Sequence, residues 1–139
     1  MDEPFSDDCF AIRQATRYVS QIYDRHLASV GLTITQFSVL CRLRRTGPMT
    51  MKQLADSMRM QRTTLVRTIQ PLRRNGLVLS EAPLADARAL SLTLTVEGQT
   101  RLEAGRKYWY AAQAEFEQSF GAQRAHALRG ELFAMTNHL

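Results

Sequence analysis

Apolar residues along this 139-residue chain recur mostly at helical spacing, and that period changes at one place. Over residues 8–30, Ile12, Ala15, Val19, Ile22 and His26 line one face, with Phe10, Tyr18, Tyr23 and Leu27 widening it. That spacing predicts a long amphipathic helix. Asp7 and Asp8 suit its positive end, and Gly31 is placed to stop it in a left-handed cap. Thr33 with Gln36 makes a capping box for a second helix running to about Arg45, with Phe37, Leu40 and Cys41 inward. Gly47-Pro48 ends it, and Thr50 with Gln53 repeats the box for a short helix, Met51–Met58. Met58–Met60 reads as the turn that follows. The next helix, Gln61–Asn75, buries Leu65, Ile69 and Leu72; Met60 and Gln61 are poor N-caps, and Pro71 predicts a bend.

The change of period comes after Asn75-Gly76. Leu77–Glu81 and Leu90–Leu94 are short runs of Leu, Val, Ser and Thr around the polar loop 82–89, which predicts a β-hairpin. Thr95 then caps a long helix from Val96 to about Phe120. Gly121 breaks it before a last helix from about Gln123 to Leu139, where Leu128, Leu132 and Met135 form the stripe. The fold class expected is mainly α with a small β-hairpin wing. Terminal helices with apolar faces at both chain ends predict a shared dimer interface. Trp109, Tyr108, Tyr110, Phe116 and Phe120 fit core or interface better than a cofactor box.

Charge sharpens this picture once it is divided along the chain. Residues 1–31 carry −2, residues 32–80 carry +8 with Asp56 as their one acid, residues 81–94 carry −1, and residues 95–139 balance. A domain with one anionic partner partitions charge this way. Opposite the buried stripe of the 61–75 helix lie Thr63, Arg67, Gln70 and Arg74, with Thr64 on the flank and Gln61, Arg62 and Arg73 nearby. Cations, hydroxyls and amides are what meets phosphates and base edges in a major groove. At the hairpin tip, Asp86 can brace Arg88, which then suits the narrower minor groove. Standing alone, the pair is a solvated ion pair worth at most about 1 kcal/mol.

Other chemistry is sparse. The sequence offers no paired carboxylates, nucleophile–base constellation, phosphate-cradling glycine loop or metal spacing, so neither enzyme, cofactor nor metal is expected. His26, His126 and His138 are scattered, and His26 reads as packed or surface because no second ligand lies at helical spacing. Cys9 and Cys41 make no disulfide framework, and Cys41 reads as a small packed hydrophobe. No run of 18 uncharged apolar residues exists, and the acidic start MDEPFSDDCF lacks the features of a signal peptide, so a cytoplasmic protein without membrane contact is expected.

The ordered set Gly31-Leu32-Thr33, Gln36-Phe37, Gln53-Leu54-Ala55, Thr64-Leu65-Val66-Arg67, Leu72 and Gly76-Leu77-Val78, then Asp86-x-Arg88 and Leu94-Thr95-x-x-Gly98, resembles the MarR family of winged helix-turn-helix transcription regulators. The resemblance covers nearly the whole chain. It implies a DNA-binding domain over 32–94 and a helical dimerisation region over 1–31 and 95–139. It also implies a homodimer on a pseudo-palindromic double-stranded operator, with repression relieved by a small molecule or by oxidation. The family's usual inducers are small aromatic or phenolic anions; Arg13 and Arg17 on the first helix are placed either to meet one or to stand as solvated charges. The OhrR-like, hydroperoxide-sensing branch is similar in its Cys-Phe pair, here Cys9-Phe10, and in a tyrosine that Tyr23 can supply. Ile34 stands where that branch has a second tyrosine, and Arg13 where it has an aromatic.

Overall fold

Two capping boxes organise the middle of the chain. In the computed structural model, which describes residues 4–81 and 90–137, the Thr33 hydroxyl accepts the Gln36 N–H while the Gln36 amide accepts the Thr33 N–H. Thr50 and Gln53 repeat the exchange at 3.0 and 3.1 Å. Each pair satisfies two donors that a helix start would otherwise leave open.

The first helix, α1, spans Asp8–Leu27. It ends three residues earlier than its apolar period predicts. Ala28–Val30 tighten into a 3-10 turn, and Gly31 follows at φ 71°. The chain continues through α2 (Ile34–Thr46), β1 (Met49–Thr50), α3 (Met51–Met58) and α4 (Arg62–Arg74). Then come β2 (Val78–Glu81), β3 (Ser91–Leu94), α5 (Val96–Phe120) and α6 (Ala122–Thr136). Pro71 lies inside α4, and the helix carries on past it to Arg74.

The wing sheet has a third strand that no sequence pattern announces. Its order is β1-β3-β2, all antiparallel, with Met49 opposite Leu92 and Val78 opposite Leu94. Two residues after Gly47-Pro48 are too few to show a period, so β1 is recruited by the open edge of β3. The predicted loop 82–89, with Asp86 and Arg88, lies outside the described residues.

Chain contacts divide into two compact units, 28–106 and Met1–Leu27 with Lys107–Leu139. The first holds most of the buried side chains, among them Leu40, Leu43, Leu54, Leu65, Ile69 and Leu92. Burial of each is worth roughly 1.5–3 kcal/mol. At its lower corner one residue ties three elements. The Thr95 hydroxyl donates to the Gly76 carbonyl at 2.6 Å and accepts the Gly98 N–H at 3.0 Å, while the Thr95 N–H reaches the Leu77 carbonyl. Thr95 therefore fastens the end of α4, the wing and the start of α5. Cys41 is half-buried on α2, and burial pushes its thiol up. It packs as expected of a small hydrophobe.

In the helical unit, the Arg25 guanidinium forks onto both Glu115 oxygens at 2.9 and 2.7 Å, and His26 Nε2 sits 2.9 Å from Oε1. His26 is thus a half-buried bridge between α1 and α5. The hydrogen bonds from Arg25 and His26 hold the Glu115 carboxyl down at about 2. A carboxylate whose folded value lies below its unfolded one stabilises the fold above the unfolded value, and loses that contribution as pH falls towards the folded value. Acidification from about 4.5 to 2 should therefore weaken the helical unit. Denaturant titrations across that window should show a shallower pH slope for Glu115→Gln; an identical slope would exclude this cluster as a source of acid sensitivity. Phe116 stacks on Phe120 at 5.4 Å and Trp109 meets Tyr110 edge-on at 4.9 Å.

Candidate nucleic-acid interface

The turn between α3 and α4 carries the chain's one described non-glycine residue at positive φ. Arg59 sits in the left-handed region at φ 52°, ψ 42°, and its N–H reaches the Ala55 and Asp56 carbonyls. The Met60 N–H also bonds the Ala55 carbonyl, at 2.9 Å. These bonds close the orphan carbonyls of α3 and offset the cost of a left-handed side-chain residue. Gln61 then starts α4 from an extended conformation with no side-chain cap, in keeping with its poor capping chemistry. The result is a helix-turn-helix whose second helix is anchored by Leu65, Ile69 and Leu72, all at or below 1% exposure.

Burying that stripe dictates what faces out. Gln61, Arg62, Thr63, Thr64, Arg67, Gln70, Arg73 and Arg74 are all exposed. Thr63, Arg67, Gln70 and Arg74 recur at i, i+4, i+7 and i+11, a row about 16 Å long. Among the described residues, the four arginines at 62, 67, 73 and 74 have no hydrogen bond or ion pair. Acids do pair with cations elsewhere in this unit, as Glu103 does with Arg44 and Arg106. A cationic row left free in a chain that pairs its other charges leaves its donors available to an external anion.

A shallow cleft of about 630 Å³ opens beside the last turn of α4, lined by Gln70, Arg73, Arg74, Val78, Leu79 and Ser80. It brings three of the sequence-derived residues together with β2. Ser80 and the half-exposed Leu79 were missed by the sequence reading, because only the antiparallel return of β2 places them beside α4.

The MarR family profile matches residues 32–90. An uncharacterized HTH-type transcriptional regulator of Bacillus subtilis, YwoH, is 34% identical over 92 residues, a stretch covering 66% of each protein. The transcriptional regulator MosR of M. tuberculosis is 34% identical, with 92% of this chain and 96% of that one aligned at a TM-score of 0.75. This chain belongs to the MarR family. A third structure, the transcriptional repressor CouR bound to a 23-mer DNA duplex, shares the fold at a TM-score of 0.83, with 22% identity over 98% of this chain and 99% of that one. This MarR-family transcriptional regulator therefore carries the winged helix-turn-helix fold, and its family is one of regulators rather than enzymes. Among its described residues no helix is long and apolar enough to cross a membrane.

The effector candidates of the first helix fall apart in space. Arg13 and Arg17 are exposed on α1, and neither lines the apolar groove of the helical unit. Arg129 does, with Tyr23 and Glu117, the last pair at 4.0 Å. Burial, then the Glu117 charge, raises the Tyr23 hydroxyl above its usual value. Cys9 is exposed at the start of α1. Fourteen residues of continuous helix hold it about 21 Å from Tyr23, so the two do not meet within one chain.

Proposed function

We propose that this MarR-family regulator acts as a homodimeric repressor on a pseudo-palindromic double-stranded DNA operator, in the cytoplasm. The observation that carries this is the exposed row of Thr63, Arg67, Gln70 and Arg74, free of protein partners on a helix anchored by three buried side chains. Two such helices must lie about 34–36 Å apart to enter successive major grooves on one face of the duplex. Gln61, Arg62, Thr64 and Arg73 flank the row as further backbone or base contacts. Arg88, braced by Asp86, is assigned to the minor groove from sequence. The likeness to CouR, a repressor seen on duplex DNA, supports this reading.

Release follows from the same geometry. A small aromatic or phenolic anion, with Arg13 and Arg17 as candidate partners, lowers operator affinity if it binds better to a shape with another helix spacing. Its effect is limited by that difference in affinity. The peroxide-sensing alternative through Cys9 and Tyr23 is not pursued, since no contact within the chain joins them.

Titrating the purified protein onto its own upstream DNA at several salt concentrations tests the central claim. With six or more phosphates contacted per dimer, affinity should fall about 10³-fold or more between 50 and 200 mM salt. A flat salt response would remove DNA as the partner.

A further inference from the structure

The winged unit has a core of its own, whereas the helical unit does not. Among the described residues of the helical unit, only Ile22, Leu27, Ala112 and Ala125 are buried. Nine of the twelve exposed large hydrophobics lie there, including Phe10, Ile12, Leu128, Leu132, Phe133 and Met135. Between α1 and α6 runs a groove of about 490 Å³ floored by Phe116, with Ile12, Val19, Leu128, Leu132 and Phe133 in its walls. A patch of this kind on a folded chain marks an interaction surface.

The α6 helix states the requirement most sharply. Ala125, Leu128, Leu132 and Phe133 reach the groove, yet Ala127, Ala134 and Met135 lie outside its lining. A helix apolar on several faces is stable only when several faces are covered, and fifteen residues of isolated helix are marginal in water. Gly130 in its middle weakens it further, and a Cβ there would meet nothing within 4 Å. The chain supplies no neighbour that needs a glycine at this point. Close approach by another helix would need one.

We propose that a second copy of this chain seats on the groove, and that α1 and α6 fold only as that contact forms. This rests on the homodimer reading above and adds that the dimer is obligate for the helical unit. A second copy fits because the surface holds both the groove and the projecting Phe133 and Met135, and a two-fold contact sets one patch against itself. Charge agrees. The unit carries six Lys/Arg against eight Asp/Glu, too mixed to repel its copy strongly and too acidic to attract DNA. Folding and association are then a single, concentration-dependent event.

The experiment pairs sedimentation with two optical signals on the full chain. Trp109, the only tryptophan, lies in the helical unit and reports its state at nanomolar dilution, and far-ultraviolet circular dichroism reports total helix. Wild type should sediment as a dimer, and its Trp109 emission should shift towards that of unfolded protein as dilution splits it. Leu132→Asp should weaken the dimer at least tenfold and lose helix in step, while hydrogen exchange over 28–106 stays protected. Val96→Asp, at the equally exposed start of α5, should change neither. If dilution gives monomers with unshifted Trp109 emission and full helix in the variant, the coupling is wrong and the homodimer stands. A wild type that is monomeric and fully helical at every concentration overturns both. A Leu132→Asp dimer of unchanged affinity would overturn the groove as the contact, even with wild type dimeric.

Discussion

Arg67→Ala and Arg74→Ala should each weaken operator binding by about 1–3 kcal/mol, roughly 5- to 150-fold, if their guanidinium forks read base edges. Both side chains are exposed and lack protein partners among the described residues, so thermal unfolding should move little. That separation of affinity from stability is the point of the test. A base contact relaxes preference at one operator position; a phosphate contact weakens all sequences alike and lowers the salt slope by about one. Anisotropy titrations on the native operator and on single-base variants distinguish the two roles. If neither substitution changes affinity, the outward row of α4 is not the reading face.

Gly98→Ala should do the reverse, lowering stability through the junction that holds the wing. A Cβ at position 98 would overlap the Leu77 carbonyl oxygen and come within 2.6 Å of Leu94 Cδ1. One obstacle is backbone, and it accepts the Thr95 N–H, so it cannot retreat without breaking that bond. Overpacking of this kind costs about 1–3 kcal/mol, and more where backbone must shift. Chemical denaturation should show a lower midpoint, with operator affinity falling as wing and α4 lose their common anchor. An unchanged midpoint would mean that α5 pivots freely at its first turn. The Thr95-x-x-Gly98 signature thus has a mechanical reading: a hydroxyl that bridges two elements, and a missing Cβ that lets them approach.

Helix placement was legible in the sequence because its signals are local. Thr33 with Gln36, and Thr50 with Gln53, specify their helix starts within four residues, and both exchanges form. Leu65, Ile69 and Leu72 are spaced to share a face whatever surrounds them, and burying them turns Thr63, Arg67, Gln70 and Arg74 outward. Ends were less legible. The stripe of α1 continues past Leu27 in sequence, but a 3-10 turn takes Ala28–Val30 before Gly31. The strand Met49–Thr50 could not be read, because two residues carry no period and their pairing with Ser91 and Leu92 is some forty residues distant.

By itself, then, the sequence determined the helices, the outward chemistry of α4 and the concentration of positive charge around it, since each depends on spacing within a few turns. Tertiary structure alone decided which distant groups meet. It set Ser80 beside Arg73 and Arg74, closed Thr95 onto Gly76, and gave Glu115 to both Arg25 and His26. It also left the groove between α1 and α6 open. Such pairings follow from how elements return upon one another, and no periodicity along the chain encodes that return.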